Sequence, residues 1–426
     1  AVRSPASVPS MPNRCLRRPA AALVLSVAAL LAGGCATSPA APPVTRPPFA
    51  GNVDFDAWKR DFAAEARTAG ISEVTVSTVV PRLRQLPELL PLDRQQPEFV
   101  KPIWSYIDAT VSNARIERGR RLRAEHAATL DAIAARSGVP AEIIVAIWGK
   151  ETDFGGYTGR TPVYDALATL ASTGRRQAFY RSELLAALTL VDRGMLPASP
   201  QPTGSWAGAM GQTQFMPGTW LRHAVDGDGD GRIDLYGSLA DAFASTAAYL
   251  AASGWPAGQP WGWEVRLPAG FDWSLAGEDR AQPLAAWAAA GVTRADGRPL
   301  AGGLNATLLV PTGRQGPVFL LTDGFRAIMK YNASTSYALA VALLGDRIAG
   351  RPGLVADWPR GQPLLSVAET RELQERLAAR GYDSGTPDGM LGTRTRTAVR
   401  GYQQRAGMVP DGWPTAELLA RLRAEG

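Results

Sequence analysis

The chain has 426 residues, 46% hydrophobic and 20% charged, enough to bury a large catalytic core beside a smaller domain. Its formal net charge is +6, carried mostly by arginine, and it holds two histidines and two cysteines. That balance suits an anionic polymer or a membrane surface. No nucleic-acid-binding module is readable, and basic runs such as Arg118–Arg123 read as solvated helix faces. His126 and His223 leave too little for a histidine zinc site, and no nucleophilic triad is present. Any catalysis must therefore rest on carboxylates and amides.

The N-terminus reads as an address. Arg14, Arg17 and Arg18 precede an apolar run from Ala20 to Leu31, shorter than the ~18 residues of a spanning helix. Residues 1–35 therefore read as a signal peptide, with Met11 as an alternative start. Leu31-Ala32-Gly33-Gly34-Cys35 resembles the lipobox of bacterial lipoproteins. That resemblance implies lipid attachment at Cys35, which becomes the first mature residue. Ala36, in place of Asp, resembles an outer-membrane sorting pattern, so the expected location is the outer membrane, facing the periplasm. Cys15 leaves with the signal, which excludes disulfides. Residues 36–50 are Pro- and Ala-rich and read as an extended tether.

Residues 51–350 read as one mainly α domain with long loops. Apolar residues recur at helical spacing at Phe55, Trp58 and Phe62, and helical patterns cover Ile103–Ala134, Val139–Thr152, Arg175–Leu190, Ala240–Ala252 and Asp323–Leu344. Strand-like alternation is confined to short pieces such as Trp263–Leu267 and Ala306–Val310. A linker over 351–363 leads to a compact tail, 364–426, sized for a three-helix core. Pro387-Asp388-Gly389 and Pro410-Asp411-Gly412 repeat a turn signal within it.

One helix carries an unusual acid. Pro140 suits a first turn and Gly155-Gly156 a stop, and Glu151 continues the face of Ile143 and Ile147. An anion at a helix C-terminus, on an apolar stripe, should hold its proton near neutrality, as a general acid does. The competing reading is a Glu fanning into solvent. Asp153, two residues on, points ~200° around the helix and is no natural partner. A single carboxylate still breaks a glycosidic bond if it protonates the leaving oxygen and then takes a proton from a substrate hydroxyl.

The motif "PAEIIVAIWGKETDFG" around Glu151 resembles the catalytic helix of lytic transglycosylases, particularly the membrane-bound type B family. "YDALATLA", "GRRQAFYRSEL", "SWAGAMGQTQFMPGTW" and "MKYNASTSYALAV" follow in the family's order. The resemblance implies a lysozyme-like fold, and cleavage of peptidoglycan with a 1,6-anhydromuramyl product. It places Ser205 and Gln214 near Glu151, with Tyr331 and Asn332 opposite and Phe215 and Met216 lining the sugar face. It makes Tyr106 a cleft residue and turns Arg175 and Arg176 toward the stem peptide. Gln212-Thr213 departs from the family's Tyr-Gly. The tail, with Leu373-Gln374, Gly381-Tyr382, Asp388-Gly389 and Tyr402-Gln403, resembles a peptidoglycan-binding module.

"DGDGDGRIDLYG" from Asp226 to Gly237 follows the calcium-loop pattern. Asp226, Asp228, Asp230 and Asp234 supply carboxylates and Arg232 a carbonyl. Gly237 stands where a closing acid is expected, and Asp241 is a candidate substitute. No catalytic cofactor is expected, only a structural calcium ion. The partners expected are glycan strands, stem peptides and a membrane, for a monomeric protein. A hydrolytic muramidase and a non-catalytic wall-binding scaffold are the alternatives; the first needs a second carboxylate, the second no poised acid.

Overall fold

A computed structural model of the chain describes residues 54–94 and 102–425. The expected signal peptide, Cys35 and the expected tether lie outside them. The first helix, α1 (Phe55–Thr68), starts at Asp54, whose carboxylate accepts the N–H groups of Asp56 and Ala57. It is followed by α2 (Glu73–Val79) and α3 (Leu90–Arg94). The run expected over Ile103–Ala134 is in fact three helices, α4 (Ile103–Thr110), α5 (Asn113–Glu125) and α6 (Ala127–Ser137). Ser112 makes the first break by capping α5 with its hydroxyl. His126 makes the second, its ring edge-on to Trp148 and Phe243.

Helix α7 (Ala141–Thr152) runs through the first core, with ten of its twelve residues buried. It stops before the glycines, because Asp153 and Phe154 adopt left-handed backbone at φ 51° and 56°. After it come β1 (Thr161–Pro162), α8 (Val163–Thr173), α9 (Gln177–Asp192), β2 (Thr203–Gly204), α10 (Pro217–His223) and α11 (Leu239–Ala252). The helix expected from Arg175 thus begins two residues later.

A five-stranded antiparallel sheet, largely unannounced by the sequence, follows. Its strands are β3 (Gly262–Arg266), β4 (Gly277–Pro283), β5 (Thr293–Arg294), β6 (Asn305–Leu309) and β7 (Val318–Leu321), in the order β4-β6-β7-β3-β5. Only β3 and β6 fall on the pieces expected to form strands. The charged edge strand β4 lacks alternation, and β7 is buried at every position, so neither shows a period of two. Helix α12 (Leu284–Ala289) covers the sheet with Leu284 and Trp287.

The run expected over Asp323–Leu344 is also divided, into α13 (Asp323–Tyr331) and α14 (Thr335–Ile348). Ser334 caps α14 by accepting the N–H of Tyr337. The helices of the domain bury two separate apolar cores, one around α7 and α14, the other around α8 and α9. Tyr249 and Tyr331 pack against both cores, which marks the seam between the two lobes.

Residues 351–363 lie along the catalytic domain instead of hanging free. Trp358 is buried, Glu264 accepts the N–H groups of Val355 and Ala356, and Arg360 grips Asp108 at 2.6 and 3.0 Å. The tail folds as α15 (Val367–Ala379), α16 (Thr393–Arg405) and α17 (Ala416–Ala424) around Leu373, Leu377, Val399 and Leu418. Its two Pro-Asp-Gly turns are each held by a glutamine. Gln374 accepts from Gly389 N–H and donates to Asp388, while Gln403 does the same for Gly412 and Asp411. The tail docks beside β4. Half-buried Arg396 donates to the Pro311 carbonyl, and Asp411 accepts the N–H of Arg314 at 3.0 Å.

Candidate active site

Glu151 sits in the last turn of α7 and is buried, 7% exposed. Its Oε1 accepts the hydroxyl of Tyr337, from α14, at 2.5 Å. Burial raises its pKa to about 7, against the opposing influence of the Lys150 ammonium and the Tyr337 hydrogen bond. Of the two causes expected, the apolar surroundings are the larger: removal from water keeps the proton on. Solvent exposure, the competing reading of this residue, is excluded. Lys150 itself lies over the Tyr106 ring at 4.8 Å and the Tyr337 ring at 5.9 Å, so the charge nearest the acid is held between aromatic faces.

The left-handed turn after α7 explains why Asp153 is no second acid. It faces away from the seam and pairs with Arg118 at 3.0 Å and Arg115 at 3.4 Å. Another acid, Glu183, is buried in the second lobe, and burial raises its pKa. Its carboxylate is committed to the Gly218 N–H at the start of α10, at 2.7 Å.

The Gly-rich stretch folds into a tight double turn. Ser205 accepts the N–H of Ala209 through its hydroxyl at 2.9 Å, so this buried side chain closes the turn. Gly208 and Gly211 have φ values of 88° and 73°, and a Cβ on Gly211 would lie 2.6 Å from the Leu235 carbonyl oxygen. Gln214 also takes left-handed backbone, at φ 57°. Its amide donates to Thr158 and Gly211 carbonyls, while Oε1 is buried without a partner. Strain and an orphaned acceptor on one residue are common marks of a binding site.

Gln212, where the motif departs from its relatives, ties the turn to α7. Its Oε1 accepts the indole N–H of Trp148 at 2.9 Å, and its carbonyl accepts Thr152 Oγ1 at 2.7 Å. The neighbouring Thr213 carbonyl accepts the Tyr331 hydroxyl at 2.6 Å. Phe215 is buried, with its ring 5.9 Å from Tyr331 and 6.0 Å from Tyr249; Met216 is half-buried at the head of α10. Asn332 is buried at the end of α13, where the break before α14 brings it to the seam.

Arg175 and Arg176 stand at the start of α9. Arg175 is drawn to Asp93, through its backbone N–H at 2.8 Å and its guanidinium at 3.6 Å, while Arg176 lies 4.0 Å over the Phe179 ring. The residues that the sequence reading missed are Tyr337, Tyr249 and Lys150. Tyr337 lay within a quoted motif, three residues after a serine able to cap a helix; that spacing is the signal that would have placed it.

In the loop after α10, carboxylate oxygens of Asp226, Asp228 and Asp230 lie within 4.8 Å of one another. Asp234 turns back to accept the N–H groups of Tyr236 and Gly237. A Cβ at residue 237 would lie 2.5 Å from Asp234 Oδ2, the free end of a side chain that can rotate aside. The two oxygens of Asp241 accept the N–H groups of Gly227 and Asp234, both at 2.7 Å, and it stands outside the cluster of three. It braces the loop from α11.

Residues 54–346 match the family described as the transglycosylase SLT domain, and residues 366–422 match a putative peptidoglycan binding domain. The chain belongs to the lytic transglycosylase family. It is 48% identical to SltB3 from Pseudomonas aeruginosa, solved in complex with NAG-anhNAM-pentapeptide, with a TM-score of 0.82 over 87% of this chain and 99% of that one. It is 40% identical over 220 residues to the membrane-bound lytic murein transglycosylase B of Escherichia coli, which covers 50% of this chain and 58% of that protein's length. An E. coli lytic transglycosylase solved in complex with calcium is 31% identical, with a TM-score of 0.58 over 68% of this chain and 92% of that one. The fold is that of the family, mainly α and lysozyme-like, with the small helical domain at its C-terminus.

Proposed function

We propose that the protein cleaves the β-1,4 bond between N-acetylmuramic acid and N-acetylglucosamine in peptidoglycan without water, with Glu151 as the sole acid and base. The observation that carries this reading is a buried carboxyl with a pKa of about 7 and a tyrosine as its hydrogen-bonding partner. Protonated Glu151 gives its proton to the leaving glycosidic oxygen. The resulting carboxylate then takes the proton of the muramic acid 6-hydroxyl, whose oxygen closes onto C1. One bond breaks, one forms, and the acid is regenerated. A pKa near neutrality suits both halves.

The surrounding residues supply position. Phe215, Met216, Tyr106 and Tyr331 offer apolar surface to sugar rings, and Asn332 suits an N-acetyl or carboxyl group. The unpartnered Gln214 oxygen suits a sugar hydroxyl. Ser205 serves by shaping the turn, and Arg175 and Arg176 suit peptide carboxylates. Mass analysis of muropeptides decides the reaction. Anhydro ends lie one water below hydrolytic products, so products of hydrolytic mass would favour a muramidase, and no products a scaffold.

Calcium is the ion that the loop fits. Asp226, Asp228 and Asp230 are clustered, and Arg232 adds a carbonyl in the seventh place; Asp234 would have to turn outward to join. A bound ion would hold the segment after α10 and take no part in bond breaking. Lipid attachment at Cys35 and an outer-membrane location remain part of the proposal. Cys35→Ser should release the protein into the soluble fraction, and persistent lipid labelling would refute the assignment.

A further inference from the structure

A cavity of about 720 Å³ lies on another side of the catalytic domain, between α4, α14, β3 and the strap formed by residues 351–360. Its size falls within the ~300–1,000 Å³ typical of small-ligand sites. None of Glu151, Gln214 or Tyr331 lines it. Five arginines do, and the acids beside them are largely engaged. Asp108 holds Arg360, Asp346 holds Arg351, Asp296 holds Arg294, and Glu264 accepts two backbone N–H groups of the strap. Asp357, at the rim, faces Arg360. Arg347 by contrast donates to the carbonyl of Arg351, and Arg298 lies 3.7 Å from an aspartate already bonded to Arg294. Five acids balance the five arginines, and the guanidinium N–H groups left to receive a carboxylate are those of Arg298 and Arg347.

The aromatic groups argue against a sugar. Trp261 and Trp358 are buried, and the Trp263 ring already carries the Arg294 guanidinium at 5.5 Å. Few faces are left for a pyranose to stack upon. A polar backbone with carboxylate side groups and short aliphatic arms fits better.

We propose that this cavity is a second binding site, for the carboxylate-bearing stem peptides of peptidoglycan. The choice of that peptide over another acidic peptide rests on the peptidoglycan reading above. Two helices serve both places. Tyr106 on α4 and Tyr337 on α14 belong to the Glu151 site, while Asp108 and Asp346 on the same helices line the cavity.

The test is calorimetric titration of a free, sugar-less stem tetrapeptide into the Glu151→Gln full-length protein, beside its fully amidated form and an unrelated acidic tetrapeptide. Saturable binding, weakened tenfold or more by Arg298→Ala with Arg347→Ala and by amidation, is the expected result. Melting curves of the double variant check that it stays folded. Equal binding of the unrelated peptide would overturn the assignment to stem peptides. Absence of binding at millimolar peptide, or loss of binding when a glycan fragment fills the cleft, would overturn the second site. Titration needs no turnover, so these outcomes stand apart from the muropeptide masses that test the reaction.

Discussion

At Glu151 one proton links stability to the proposed catalysis. Its carboxyl is buried, and its pKa of about 7 lies above the ordinary 4.5. The folded protein therefore binds more protons than the unfolded chain between those values, and stability falls as pH rises from about 4.5 to about 7, then levels. The shift corresponds to roughly 3 kcal/mol. Glu151→Gln should abolish turnover and flatten that slope, leaving the variant the more stable protein at pH 8; thermal melts at pH 5 and pH 8 check it. Turnover within tenfold of the parent would sink the single-acid mechanism, and an equal loss in Asp153→Asn would reopen a two-carboxylate one. Tyr337→Phe removes a hydrogen bond that favours the ionised acid. The basic limb of its pH–rate profile should move upward by about half a unit or more, since such a bond is worth ~1 kcal/mol.

Among the elements, the calcium loop and the Gly-rich turn behave as braces. Three clustered carboxylates repel one another unless a cation lies between them, so an ion stabilises the folded form by linkage. Gly237 withholds the usual closing acid, and Asp241 is occupied by backbone N–H groups. Affinity should accordingly be weak, on the order of 10⁻⁴–10⁻³ M. Melting should rise with millimolar calcium, and Asp226→Ala should erase the rise; a melt indifferent to calcium and chelator would leave an ordinary Asp-Gly turn.

For the whole molecule, the strap and the tail are fixed to the catalytic domain. Arg396 is half-buried at the dock, where removal from water lowers its pKa to about 10, and Glu278 on β4 is the acid facing it. Removing residues 364–426 uncovers this surface, and melting should fall by several degrees. Glu151 and its neighbours lie elsewhere, so turnover of soluble fragments should stay close to the parent while attachment to sacculi weakens. Collapse of soluble turnover would make the tail part of the active site.

The sequence by itself determined the candidate acid, its order among the companion motifs, and the two-domain plan. Those features are local: an apolar stripe ending in Glu151, turn glycines, repeated Pro-Asp-Gly. It also announced most helices, although serines at 112 and 334 divided two runs that periodicity alone joined. Only the tertiary structure decided what surrounds the acid. Tyr337 reaches Glu151 across 186 positions of chain, and no local pattern encodes such a pairing. The same holds for the sheet, where β7 is buried on both faces and has no polar positions to reveal its period. Asp153 makes the point in reverse: its pairing with Arg115 and Arg118 became visible only once α5 lay beside the end of α7. Helical phase is written along the chain, whereas the dryness that tunes a carboxyl comes from packing between distant segments.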